Sequence, residues 1–320
     1  MKCAVLGGGG FIGSAVVDRL LTEGHRVRIF ERSGVAPYRR FEISEKVEWV
    51  GGDFLNPEDV GGAVAGVDTV VHLISTTLPK TSNDDPIHDV RSNVIATLQL
   101  LDTMLKLRVP RVVFISSGGT VYGVPKYLPI DEDHPTDPLV SYGITKLTIE
   151  KYLHLYRRLH GLETVTLRVS NPYGQRQRVD TGQGAVGVFV DRAIRGVPIE
   201  IWGDGSTSRD YVHVEDVAAA FTRTVAYQGS KTVFNIGSGA GVSLNELIAM
   251  LGKILGSTIE PRYAKARAFD VPANVLSNRL AKDELGWEPS IALEDGLAST
   301  VDWQRQAIPL EVAAGSGESG

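Results

Sequence analysis

Residues 4–17 read "AVLGGGGFIGSAVV": an apolar run, four consecutive glycines, then apolar residues at helical spacing. The stretch sets Gly7, Gly10 and Gly13 three residues apart between a strand and a helix. In such a unit the first glycine permits the tight turn and the second lets a pyrophosphate approach the main chain. The third packs the helix on the strand. Unpaired N–H groups and the positive dipole end of the helix favour an anion there. Glycine-rich turns also arise for purely structural reasons, so the context decides. Glu31, eighteen residues beyond Gly13, ends the next strand candidate. A carboxylate there can accept from both adenosine ribose hydroxyls and repel a 2′-phosphate, which favours NAD over NADP. Arg32 beside it can pair with that phosphate, point to solvent or stack on adenine. Asp53 follows the third strand candidate and can accept from the adenine amino group, or cap the helix ahead of "PEDV".

Outward from this unit, short apolar runs alternate with longer amphipathic ones. Strands are expected at 2–6, 26–30, 47–50, 68–74, 111–116 and 164–169, with helices at 11–23, 57–64, 87–107 and 141–160. Alternation of this kind predicts an α/β fold with a parallel sheet buried between helices. After about residue 170 the pattern loosens into a polar, glycine-containing stretch at 171–184, shorter elements and a helix at 243–255. The expected division is a dinucleotide-binding domain over 1–170, with returning segments around 206–237. A second domain comprises 171–205 and 238–305, and 306–320 is a flexible tail.

The 320 residues are 42% hydrophobic and 22% charged, with a net charge of −5. That balance predicts no general attraction to nucleic acid or anionic membrane, so an anionic ligand needs a few placed cations. A single cysteine, Cys3, excludes an internal disulfide framework and reads as a packed thiol. Lys2 precedes apolar residues as in a secretory leader, but the glycines interrupt the run. No stretch approaches a membrane span, and the expected location is the cytoplasm. No metal site is expected.

The chemistry is expected at "SYGITK" (141–146), where Tyr142 and Lys146 share one face of a helix. A phenol ionises near 10, so a tyrosine base working near neutrality needs its pKa lowered by roughly three units, about 4 kcal/mol. A neighbouring ammonium and an oxidised nicotinamide both favour the phenolate. On spacing alone the pair reads more readily as decoration of an exposed helix. Its place after a dinucleotide unit and the serine-rich strand end "ISSGGTVYG" (115–123) makes it catalytic.

These strings together, GGGGFIG (7–13), GDF (52–54), HLI (72–74), SSGGTVYG (116–123), YGITK (142–146), LRVSNPYG (167–174), GDGSTSRDYVHVEDV (203–217) and LGWEP (285–289), resemble the extended short-chain dehydrogenase/reductase family. The likeness is to its nucleotide-sugar branch and runs from residue 2 to about 300. It implies a Rossmann-type doubly wound parallel sheet with a smaller mixed α/β substrate domain. The implied activity is NAD-dependent 4-epimerisation of a UDP-hexose, by transient oxidation at C4 to a 4-keto sugar and hydride return to the opposite face. A UDP-N-acetylhexosamine or UDP-uronic acid epimerase, a dehydrogenase or reductase that releases its product, and a catalytically silent sensor are the alternatives. NAD contacts are implied for Gly7, Gly10, Phe11, Ile12, Gly13, Glu31, Arg32, Asp53, Phe54, Leu73, Ser75, Asn93 and Ser116, with Tyr142 and Lys146 reaching the nicotinamide end.

The family hydroxyl that bridges sugar and tyrosine sits two residues before the threonine of "TVYG", and that position is Gly118 here. Thr120 is the expected substitute, because alternate residues of an extended segment face one way, with Ser117 as runner-up. Relatives that remove water carry an Asp–Glu pair where this chain has Gly119 and Thr120, and decarboxylating ones carry glutamate at the Thr120 position, so both activities are disfavoured. On the substrate side the resemblance implies Asn171, Arg209 and Arg267 at the diphosphate, with Tyr211 and Asp270 near the nucleoside. Asn171 also reads simply as a turn residue before proline. Ala268 and Phe269 depart from the family's usual Pro–Gly. Asn274 occupies the position whose size governs tolerance of a C2 N-acetyl group. Helices 87–107 and 141–160, with Leu98, Leu101, Met104, Leu153 and Leu155, are paired by the family into a homodimer interface. The simpler reading is that they only cover the sheet.

Overall fold

β-Branched and aromatic residues at the predicted positions do form strands, because a parallel sheet covered on both faces buries the side chains of its central strands. The computed structural model describes residues 1–179, 184–265 and 271–315, with side chains through residue 307. The first part runs β1 (Lys2–Leu6), α1 (Phe11–Thr22), β2 (Arg26–Arg32), β3 (Val47–Gly52), α2 (Pro57–Val64), β4 (Thr69–His72), α3 (Pro86–Asp89), a π turn (Val90–Ile95), α4 (Ala96–Lys106), β5 (Arg111–Ser117), α5 (Ser141–His160) and β6 (Glu163–Val169). The second runs β7 (Asn171–Tyr173), α6 (Ala185–Ile194), β8 (Glu200–Trp202), β9 (Ser208–His213), α7 (Val214–Val225), β10 (Val233–Ile236), β11 (Gly241–Ser243), α8 (Leu244–Leu255), β12 (Arg262–Ala264), β13 (Ala273–Asn274), α9 (Arg279–Leu285) and α10 (Leu293–Gly315).

Seven strands form one parallel sheet in the order β3-β2-β1-β4-β5-β6-β10. The chain reverses its winding between β1 and β4, and in open α/β sheets ligands bind at the carboxyl ends of the strands beside that point. One face of the sheet, with Val5, Ile29, Val113 and Leu167, packs on α1 and α7 through Val17, Leu20 and Phe221. The other, with Leu6, Phe30 and Phe114, packs on α2, α4 and α5 through Val60, Leu100 and Leu153. Cys3 is fully buried in the first of these, and burial pushes its thiol up to about 11.

The remaining strands form small sheets, β11-β9-β13 with β7 on β9, and β12 with β8. With α6, α8 and α10 they enclose a separate core that includes Val186, Ile201, Tyr211, Leu247, Leu251 and Leu297. The seventh strand of the main sheet comes from this later half of the chain. Helix 87–107 is broken by the π turn, and α10 continues through Gly315, so the segment expected to be a tail from 306 is helical to that point. Among the described residues no helix is long and apolar enough to cross a membrane.

Candidate active site

The nucleotide end is built by main chain that tolerates no side chains. Gly7 adopts φ +82°, and a methyl group added at Gly13 would lie 2.0 Å from the Gly7 carbonyl oxygen. Gly10 caps α1 without a side-chain bond, and the first turn of the helix carries no acidic residue, so its N–H groups are left for an anion. Glu31 reaches back to this turn, its Oε2 accepting from Gly9 N at 3.2 Å and its Oε1 from Arg32 N at 3.1 Å. The Arg32 side chain is exposed. Phe11 and Ile12 are half-buried on the α1 core, and Leu73 backs Gly7, its carbonyl carbon 3.5 Å from where a Gly7 methyl would sit. These features fit a dinucleotide.

Four residues expected at the cofactor have partners within the protein. Asp53 is exposed, and its Oδ1 accepts from Leu55 N within its own turn, while the cap of α2 is Asn56. The Phe54 ring is buried in the core 5.1 Å from His72. Asn93 has both amide atoms occupied: Oδ1 accepts from Thr76 N at 3.1 Å and Nδ2 donates to Thr76 Oγ1 and Asp89 Oδ1 at 2.9 Å each. Ser116 gives its one O–H proton to Glu150 Oε1 at 2.5 Å. Asn93 and Ser116 are therefore committed to buried protein partners.

Tyr142 and Lys146 lie on the first turns of α5. No side chain of Val140 caps this helix; the 82–83 loop does so instead, Ser82 Oγ accepting from Tyr142 N and Asn83 Oδ1 from Ser141 N. Lys146 is 3% exposed and donates to the Ile115 carbonyl at 3.0 Å, with Nζ 5.5 Å from the Tyr142 ring centre. Burial pushes Tyr142 up to about 12, Asp89 adding to the rise, whereas a hydrogen bond with Ser75 favours the phenolate. Burial also pushes Lys146 down to about 8. Burial thus opposes the phenolate, which the sequence reading made depend on the ammonium together with an oxidised nicotinamide. Ser75, which the sequence placed with the cofactor, lies on the loop after β4, where its Oγ donates to the Thr77 carbonyl at 3.2 Å.

Behind the pair, the loop after β5 packs its Thr120 carbonyl against α5, 2.8 Å from where a Gly143 methyl would sit. Thr120 Oγ1 is shielded and has no hydrogen-bond partner. Among the described residues no bond of the Ser117 hydroxyl is found. Gly118 is dictated by packing: a methyl there would lie 2.5 Å from Leu276 Cδ1 and 3.0 Å from the Arg168 carbonyl. Leu276, fully buried, fills the space a serine would need. Gly118→Ser is expected to lose about 1–3 kcal/mol in urea unfolding. The loss should shrink when Leu276→Ala is added, and two additive costs would refute this packing account.

Asn274 is buried on β13, donates to the Gly118 carbonyl at 3.1 Å and leaves its Oδ1 without a partner. Asn171 Nδ2 donates to the Asp210 carbonyl, and Asn171 pairs in register with Tyr211. The buried Tyr211 hydroxyl has no partner, and burial pushes it up to about 12 against the lowering charge of Arg209. Arg209 donates to the Val271 carbonyl at 2.7 Å. Arg267 and Asp270 lie outside the described residues.

Sequence reasoning missed the polar frame under this site. Glu150 and Arg168 form a buried pair at 2.6 Å, Arg168 also donates to the Tyr122 hydroxyl, and that hydroxyl donates to Asn235 Oδ1. Its only sequence signal was charge at positions that helix and strand periodicity places inside. Of the apolar residues singled out on helices 87–107 and 141–160, Leu101, Met104 and Leu153 cover the sheet as core residues, Leu98 is half-buried and Leu155 is exposed.

The chain matches the NAD dependent epimerase/dehydratase family over residues 3–237. It is 37% identical to UDP-glucose 4-epimerase of Mycolicibacterium smegmatis over 95% of this chain and 99% of that one. UDP-glucose 4-epimerase of Thermotoga maritima with UDP-glucose superposes with a TM-score of 0.90 at 35% identity, covering 96% and 100% of the two chains. UDP-N-acetylglucosamine 4-epimerase of Methanobrevibacter ruminantium in complex with UDP-N-acetylmuramic acid gives 0.89 at 26%, covering 96% and 98%.

Proposed function

The chain belongs to the NAD-dependent epimerase/dehydratase family, and from that premise we propose that it inverts C4 of a UDP-hexose of the glucose and galactose type. The observation that carries this reading is the meeting, at the carboxyl ends of one parallel sheet, of a side-chain-free glycine turn and the Tyr142–Lys146 pair. NAD, when bound, would supply the hydride acceptor and donor for C4 and a positive charge that favours the phenolate. Gly7, Gly10, Phe11, Ile12, Gly13, Glu31 and Leu73 would hold it, with Lys146 at its nicotinamide end.

Tyr142 takes the proton of the sugar 4-hydroxyl as C4 becomes a ketone, with the unpartnered Thr120 hydroxyl between them. Protonation of the returned alcohol by Tyr142 completes the inversion. Asn171, Arg209, Arg267, Tyr211 and Asp270 grip the nucleotide, so binding energy is held away from the sugar, which stays free to turn. The separate core around α6, α8 and α10 supports assigning residues 171–205 and 238–305, with β9, to the nucleotide-sugar domain. Helix α7 and β10 join the NAD domain. We take the working form to be a cytoplasmic homodimer, supported by Ile144, Leu155 and Leu159 exposed along one stripe of α5. Sedimentation equilibrium giving a monomer would end that part.

NMR of the purified protein with UDP-glucose, UDP-glucuronate and UDP-N-acetylglucosamine, without added cofactor, tests the reading. The expected result is UDP-galactose from UDP-glucose. Turnover of the N-acetyl sugar is a second expectation, favoured by the small Asn274 side chain. NADH accumulating only when NAD is supplied, with no epimer formed, would instead mean a dehydrogenase.

A further inference from the structure

Asp89 takes no step in the proton path above, yet it is fully buried. Its carboxylate accepts four side-chain hydrogen bonds, all from neutral groups. Oδ1 accepts from Thr77 Oγ1 at 2.6 Å and Asn93 Nδ2 at 2.9 Å. Oδ2 accepts from Ser141 Oγ at 2.7 Å and Thr145 Oγ1 at 2.8 Å. Thr77 belongs to the loop after β4 that carries Ser75, and Ser75 Oγ donates to the Thr77 carbonyl at 3.2 Å. Ser141 and Thr145 bracket Tyr142 on α5, and Lys146 follows directly. Asn93, on the π turn, holds Thr76 in the same loop by two bonds. One carboxylate thus fastens three segments that have no main-chain ladder between them.

We propose that Asp89 is the positioning residue of the proton-transfer pair, locking the first turn of α5 to the Ser75 loop and setting a fixed negative charge behind Tyr142 and Lys146. A buried carboxylate is costly where apolar packing would serve, and hydrogen bonds to a charged acceptor are stronger than those between neutral groups, which suits a joint that must not slip. The charge raises both Tyr142 and Lys146. Around the pair stand Glu150 of α5, which also raises Lys146 and is itself paired with Arg168 of β6, and His72 of β4, which burial and Lys146 hold well below its ordinary value. Lys80, Asp84, Asp85, His88 and Arg91 on the neighbouring loop and turns are exposed.

The inference rests on the epimerase reading, and the holoenzyme of Asp89→Asn tests it. With the charge gone, both limbs of the kcat–pH profile are expected to move toward acid by about one unit. The kcat at the parent's optimum should fall about tenfold or more, with KM for the nucleotide sugar within about twofold. A profile that stays in place while only stability falls would overturn the proposal. Should Asp89→Asn not fold, Thr145 decides. Thr145→Val is expected to lower kcat about tenfold with KM kept, and Thr145→Ser to keep it; equal activity in both overturns the proposal. A parent that epimerises no sugar sinks the functional reading instead. Asp89 is then judged by the 295 nm tyrosinate absorbance of parent and Asp89→Asn, each against its Tyr142→Phe counterpart. An unchanged Tyr142 midpoint would refute it.

Discussion

Replacing Lys146 by methionine is expected to abolish turnover and to stabilise the protein. Lys146 is 3% exposed, and burial holds its ammonium down at about 8. Each unit of such a shift is about 1.4 kcal/mol, so keeping this group charged near pH 7 costs about 3 kcal/mol of stability. The folded value lies below the ordinary 10.5, so the unfolded chain holds the proton over the window from about 8 to 10.5 and the folded one does not. Stability of the parent therefore rises with pH through that window from this group, a rise the methionine variant lacks. Urea unfolding of both cofactor-free proteins should show the variant ahead by on the order of 1–3 kcal/mol at pH 7, with the gap closing toward pH 10.5. A variant weaker than the parent at pH 7 would mean that the Nζ bond to the Ile115 carbonyl outweighs desolvation. Activity should fall by about 10³-fold or more, since the same ammonium anchors the nicotinamide end and, when charged, favours the Tyr142 phenolate.

Thr120→Val is the second large effect: kcat down about 10²-fold at unchanged stability. Threonine and valine have nearly one shape, and the Thr120 hydroxyl has no partner whose loss could cost the fold anything. Most hydroxyl deletions inside a protein lose stability along with function; this one separates the two. Thr120→Ser should retain activity within a few-fold. A Thr120→Val enzyme at half the parental rate or better would move the role to Ser117, and the same test on Ser117→Ala would then be decisive.

Period and spacing by themselves determined the parallel sheet, the glycine turn at its switch point and the Tyr142–Lys146 pair. Each of these is local: a strand covered on both faces must be apolar throughout, a turn against main chain must be glycine, and two residues four apart on a helix must share a face. The substitution at Gly118 was also visible in the sequence, but its reason was not. Leu276 lies 158 residues away and fills that space only because β13 returns beside the loop after β5. Burial, likewise, belongs to the assembled fold, and it is burial that drives Tyr142 up and Lys146 down, the reverse of what adjacent charges in water would do. Ser116 and Asn93, which the sequence placed at the cofactor, bond to Glu150 and to Thr76 with Asp89. A hydroxyl or amide carries no local mark of the partner it meets across the core, so the frame that holds the reactive pair was decided by tertiary structure alone.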